Sequence, residues 1–291
     1  MFFRKAIEGR NSFLYSILFI LLLFIGLTIG QIPFFLLRNY IDKFSIDTAQ
    51  VLRLLLMLIS YPIALFVGWW LYPIIHRRSF LTLISPSQRI DKLKIFQSFM
   101  VWFVLLIAIE CVVYLRHAEN YTFQFDAGPF FLLTLTAIIL IPWQTSFEEV
   151  LFRGYLSQQF GITFNSKLVG ITISSLLFGA MHLANPEVQA FGIMKMLFYY
   201  TCFGIFAGLC TLLDDRLEVV LGIHAANNIY GAIFVTFDES ALQTPALFRL
   251  QRLDVNEMVW LFGIVILLFT TISGWKFQWF KKLHLFRDQI R

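Results

Sequence analysis

From Phe13 to Leu37 the chain carries no charged side chain. About 20 consecutive apolar residues suffice for a helix to cross a bilayer, so this run alone removes most soluble architectures. Seven further apolar segments follow, at about 52–75, 95–115, 128–150, 167–185, 191–213, 217–237 and 257–280. In hydrocarbon every backbone N–H and C=O must be satisfied within the segment, which leaves helices as the reading for runs of this length. The expected fold class is therefore all-α, a polytopic membrane bundle of about eight transmembrane helices forming one domain over residues 1–291. Composition agrees: 58% hydrophobic and 14% charged residues exclude a water-soluble domain of 291 residues.

The net charge of +5 follows the connections rather than a nucleic-acid surface. Arg4, Lys5 and Arg10 precede the first segment, Arg77, Arg78, Arg89, Lys92 and Lys94 separate the second from the third, and Lys276, Lys281, Lys282, Arg287 and Arg291 close the chain. Basic flanks mark cytoplasmic ends, so both termini are expected inside, with a bacterial plasma membrane as the location, membrane lipid as the surroundings and no nucleic acid as a partner. The first segment is too long for a cleaved leader and reads as a retained helix. Cys202 and Cys210, about 12 Å apart on one helix, cannot bridge. Gly204 and Gly208 allow a neighbouring helix to approach. Residues 238–256 are expected outside, with Leu247-Phe248-Arg249-Leu250 lying on the membrane surface as an amphipathic turn. Asn120-Tyr121-Thr122 is a sequon in an external loop, a pattern that chance readily supplies.

Three charges sit where lipid-grade sequence continues on either side: Glu148, Glu149 and Arg153. Ionisable side chains at that depth are costly and are kept for a use. Glu149 and Arg153 are one helical turn apart and can pair, while Glu148 is rotated by about 100° and left for other work. Downstream, Phe178 and His182 share one helix face, as do His224 and Asn228, with small residues between the latter two. A carboxylate, two imidazoles and an amide in neighbouring apolar segments match the needs of peptide hydrolysis: a base for water, a proton donor for the leaving amine, and donors for the oxyanion. Glu148 suits the base, His182 the water or its proton, and His224 with Asn228 the oxyanion. The residues leave open whether Glu149 shares that work.

These motifs, Glu148-Glu149-x-x-x-Arg153, Phe178-x-x-x-His182 and His224-x-x-x-Asn228, resemble those of the CPBP (Abi) family in order. That family groups type II CAAX prenyl endopeptidases with bacteriocin-processing and immunity proteins. The likeness covers a core of about 128–237. It implies an eight-helix intramembrane protease in which Glu148 and His182 activate water and His224 and Asn228 hold the oxyanion; apart from the resemblance, the amide Asn228 favours an arrangement with no cofactor. The substrate would be a membrane-associated peptide, prenylated or leader-like. Two other classes stay open: a non-catalytic scaffold or immunity protein holding a partner such as a sensor kinase, and a proton-coupled transporter.

Other intramembrane chemistries lack their motifs. No histidine is followed by glutamate, Ser174 and Ser175 lack the glycine of a Gly-x-Ser nucleophile, and Asp214-Asp215 falls in a loop. Two histidines and a carboxylate are also a zinc set, which leaves Glu148, His182 and His224 as an alternative metal site. Strict crossings would separate Glu148 and His182 by about 10 to 15 Å in depth. The site closes if the fourth helix, bent near Pro142, continues to about Phe160 within the protein, with polar groups from Gln144 to Gln159 lining a cavity expected to open toward the cytoplasm.

Overall fold

The computed structural model describes residues 1–286, 289 and 290; Arg287 and Arg291 of the basic tail lie outside the described residues. The chain forms α1 (Phe13–Gly30), α2 (Ile32–Ile41), α3 (Ile46–Leu58), α4 (Ser60–His76), α5 (Lys92–Arg116), α6 (Ala127–Glu149), α7 (Ser157–Phe164), α8 (Lys167–Met181), α9 (Pro186–Phe191), α10 (Ile193–Asp214), α11 (Glu218–Ile233) and α12 (Val255–Lys276). Several helices begin where a short polar side chain can cap the first free N–H groups. Asp91 accepts the Lys94 N–H at 3.0 Å, and Asp254 accepts those of Asn256 and Glu257.

Among the described residues seven helical stretches are long and apolar enough to cross a membrane: Phe13–Ile41, Ile46–His76, Lys92–Arg116, Ala127–Phe164, Lys167–Ala184, Ile193–Asp214 and Val255–Lys276. The protein is an integral membrane helical bundle. The expected segment 217–237 is α11, of 16 residues. At 1.5 Å per residue it is shorter than the bilayer's hydrocarbon core, and it is enclosed by α5 and α6 rather than by lipid. Outward-facing Phe13, Leu36, Leu115, Trp260 and Trp275 are exposed apolar side chains, as a surface solvated by lipid requires.

The fourth span runs beyond Glu148, as the site requires, and reaches Phe164. Its irregular turn lies not at Pro142, which sits within α6, but at Val150–Leu156, a π-helical segment between α6 and α7. Insertions of this kind re-aim the side chains around them and frequently mark functional positions. Gly154 lets the chain at Leu83 pass close: a Cβ here would lie 2.7 Å from the Leu83 carbonyl oxygen. Gly204 and Gly208 of α10 pack against Ser175 and Ile171 of α8 within the same chain.

The segment expected to lie as an amphipathic turn is instead a strand. β1 (Tyr121–Phe123), β2 (Val235–Phe237) and β3 (Phe248–Leu250) form a sheet in the order β1-β3-β2, antiparallel on one side and parallel on the other. Backbone pairing satisfies groups that a lone surface turn would leave to water. Tyr121, Leu250 and Phe237 align in one row of this sheet.

The close approach of α11 to α5 depends on Gly222, where a Cβ would stand 2.3 Å from the Ile95 carbonyl oxygen and 2.8 Å from the Phe99 nitrogen. Both are backbone atoms and cannot rotate away. Gly222→Ala should cost about 1–3 kcal/mol, read as a lower unfolding midpoint in detergent, whereas Gly263→Ala, with nothing within 4 Å inside a helix, should not lower it. Equal midpoints for both variants would contradict this packing.

Candidate active site

Glu149 is fully buried and takes two hydrogen bonds on one oxygen. Arg153 Nη1 donates to its Oε1 at 3.0 Å, the expected pairing across one turn, and His224 Nδ1 donates to the same oxygen at 2.6 Å. Because Arg153 can only donate, that oxygen is an acceptor and the histidine must supply the proton of its bond. Arg153 is itself 1% exposed, with its guanidinium 4.2 Å from the centre of the Phe178 ring and 5.7 Å from that of Phe203. Aromatic faces attract a desolvated cation, so this arginine is held by a carboxylate on one side and π-clouds on the other.

Phe178 reaches further. Its ring lies 4.6 Å from that of His182 and 6.1 Å from that of His224, centre to centre, so residues from all three motifs meet around it. The Phe178 carbonyl accepts His182 Nδ1–H at 2.7 Å. A carbonyl cannot donate, so this bond leaves Nε2 with its lone pair when the ring is neutral. Tyr200 stacks on His182 at 4.2 Å and is bonded by Asn185 Nδ2 at 3.2 Å.

Glu148 points elsewhere, as the 100° rotation requires, and lines a cavity of about 1610 Å³ together with Gln144, His182, Asn228, Tyr61 and Tyr200. Its Oε1 accepts Gln144 Nε2–H at 2.7 Å. Its Oε2 has no hydrogen-bond partner among the described residues, and His224 Nε2 stands 3.7 Å from it. His224 thus faces both carboxylates, one through each ring nitrogen.

A chain of side-chain bonds leads to Glu148 from behind. Trp102 Nε1–H reaches Asn227 Oδ1 at 3.4 Å, Asn227 Nδ2 donates to Asn228 Oδ1 at 3.3 Å, and Asn228 Nδ2 donates to Gln144 Oε1 at 3.2 Å. Gln144 then donates to the carboxylate. Asn228 keeps a second N–H free for another acceptor.

All seven residues singled out from the sequence, Glu148, Glu149, Arg153, Phe178, His182, His224 and Asn228, therefore fall in one neighbourhood. Gln144 lines the cavity as expected, whereas Gln158, from the same expected stretch, instead bonds the Phe2 and Thr82 carbonyls; Trp102, Asn227, Tyr200 and Phe203 carry no expectation from the sequence. Gln144 precedes Glu148 by one turn, a spacing the sequence displays, whereas the aromatic partners come from other helices and carry no local signal. Among the described residues no group of three or more His, Cys, Asp or Glu side chains has the arrangement of a metal site.

The cavity opens at the end of the bundle opposite the one expected. Its outer wall is made by Arg116 and His117, by Asn185 and Glu187, by Ala241 and Asp254, and by the sheet row Tyr121, Leu250 and Phe237. Arg77, Arg78, Lys94 and Lys276 sit at the other ends of the same helices. The charge pattern identifies an end of the bundle but holds no information about which end is hollow, and that is why the sequence expectation failed here.

Because Glu149 and Arg153 are both desolvated, removing one leaves the other uncompensated. Arg153→Leu should cost about 3–5 kcal/mol in detergent unfolding, and the double change Glu149→Gln with Arg153→Leu should recover part of that loss. A double variant no more stable than the single would show that the pair is not the source of the penalty.

Comparison with known proteins gives the relatives. No solved structure matches the chain. The chain is 34% identical over 286 residues to "Uncharacterized protein YyaK" of Bacillus subtilis (strain 168), a match covering 94% of this chain and 95% of the relative. The family model described as "Type II CAAX prenyl endopeptidase Rce1-like" matches residues 127–230, the stretch that supplies every motif residue above. The chain belongs to the Rce1-like family of type II CAAX prenyl endopeptidases.

Proposed function

We propose that the protein is an intramembrane endopeptidase that uses Glu148 as its general base. One observation carries this reading: Glu148 lines the cavity with one carboxylate oxygen fixed by Gln144 and the other without a donor, facing His224 and sharing the space with His182. Glu148 Oε2 takes a proton from water as its oxygen adds to the scissile carbonyl carbon. His182 Nε2, given its lone pair by the bond from Nδ1 to Phe178, orients that water, then accepts the proton from Glu148 and delivers it to the departing amine as the carbon–nitrogen bond breaks. The tetrahedral oxyanion is met by the free N–H of Asn228 and, when the ring is an imidazolium, by His224 Nε2–H. Glu149 and Arg153 hold His224 and take no proton. The roles need no metal or other cofactor, and the substrate is a membrane-associated peptide.

The test is cleavage of a library of peptides and prenylpeptides by protein in detergent or liposomes. Glu148→Gln keeps the shape and the Gln144 contact but removes the base, and should lower the rate by about 10²–10⁴-fold with the unfolding midpoint preserved. Native turnover in this variant would end the proposal. A folded protein that cleaves nothing would favour the scaffold reading.

Metal independence gives a second expectation. Activity should survive exhaustive dialysis against a strong chelator. Loss reversed specifically by zinc would recast Glu148, His182 and His224 as ligands.

A further inference from the structure

Two facts about the ends of the bundle point to the side from which substrate arrives. The end carrying Arg77, Arg89, Lys92, Lys94 and Lys276 is filled. There Phe2 and Phe3 are buried, and Gly161 of α7 leaves only the space that Phe3 and Ile290 occupy. The Phe2 N–H donates to Asp215 Oδ1 at 2.7 Å, Gln158 Nε2 donates to the Phe2 carbonyl at 3.3 Å, and Arg78 donates to the Lys5 carbonyl and the Tyr72 hydroxyl. At the other end the cavity above Glu148 reaches the connections around His117, Glu187 and Ala241.

Short connections rich in Lys and Arg stay in the cytoplasm. The filled end holds most of them and the open end fewer. The filled end is therefore the cytoplasmic one. We propose that the cavity opens to the extracytoplasmic side and admits a polypeptide segment presented at the outer membrane surface rather than a cytoplasmic C-terminal tail. The substrate half of this proposal rests on the proteolytic reading; the sidedness does not.

The experiment separates the two. In a background with Cys111, Cys202 and Cys210 changed to Ser, single cysteines are placed at the rim (Ala241→Cys) and at the filled end (Ser87→Cys), both exposed positions. A membrane-impermeant maleimide should label Ala241→Cys in intact spheroplasts and Ser87→Cys only in inverted vesicles. The reverse pattern overturns the proposal. In the second arm the peptide library is added to right-side-out or inverted vesicles containing the native protein. Cleavage in right-side-out vesicles, lost with Glu148→Gln, supports extracytoplasmic entry, and cleavage confined to inverted vesicles overturns it. If the labelling is as expected and neither orientation cleaves, the proteolytic reading and the substrate half fail while the sidedness stands.

Discussion

Glu149 is the constraint from which the rest of the site follows. A carboxylate with no access to water costs several kcal/mol unless it is paired and hydrogen-bonded. Arg153, one turn later on the same chain segment, supplies the charge, and His224, from a distant helix, supplies the second donor. Pairing one oxygen of a buried acid thus ties α11 to the fourth span and sets the plane of the His224 ring. The π-helical turn at Val150–Leu156 holds Arg153 where it reaches both Glu149 and the Phe178 face. Phe178 in turn orients His182 through its carbonyl and its ring. Glu148 takes its hydrogen bond from Gln144 instead and meets only the far nitrogen of His224, which is how adjacent glutamates come to have different surroundings.

What could be read from the sequence divides by range. The spans were legible because a bilayer imposes a length and a composition, and Lys167–Ala184 and Ile193–Asp214 lie close to their expected bounds. The pairing of Glu149 with Arg153 was legible because it is one turn long and both groups are charged. Gln144 has the same spacing from Glu148 but no charge to mark the two as a pair. Trp102, Tyr200 and Phe203 meet the site only through tertiary packing, and in a chain with 34 phenylalanines an aromatic residue stands out only beside a polar one, as Phe178 does one turn before His182. The strands escaped for a related reason. Each spans three residues, and their partners are remote in sequence, as with Tyr121 and Leu250.

The bundle also shows how an irregular backbone is accommodated at membrane depth. α11 is too short to span, yet its polar face, His224, Asn227 and Asn228, is turned to protein and cavity rather than to lipid. Enclosure by α5 and α6 removes the length requirement that lipid would impose. Gly222 permits this enclosure, so one missing methyl group underlies both the packing and the placement of two site residues.

The indole of Trp102 has a consequence beyond holding Asn227. An indole N–H donates and never accepts, so the orientation of the first amide is fixed, and with it that of Asn228 and Gln144 in turn. The sequence of amides is therefore a one-way arrangement of dipoles ending at Glu148 Oε1, like a short wire with a permanent polarity. Amides do not take up protons near neutrality, so this wire can bias the carboxylate but cannot discharge it. Any proton collected by Glu148 must leave by the oxygen on the cavity side, where water, His182 and a peptide would meet.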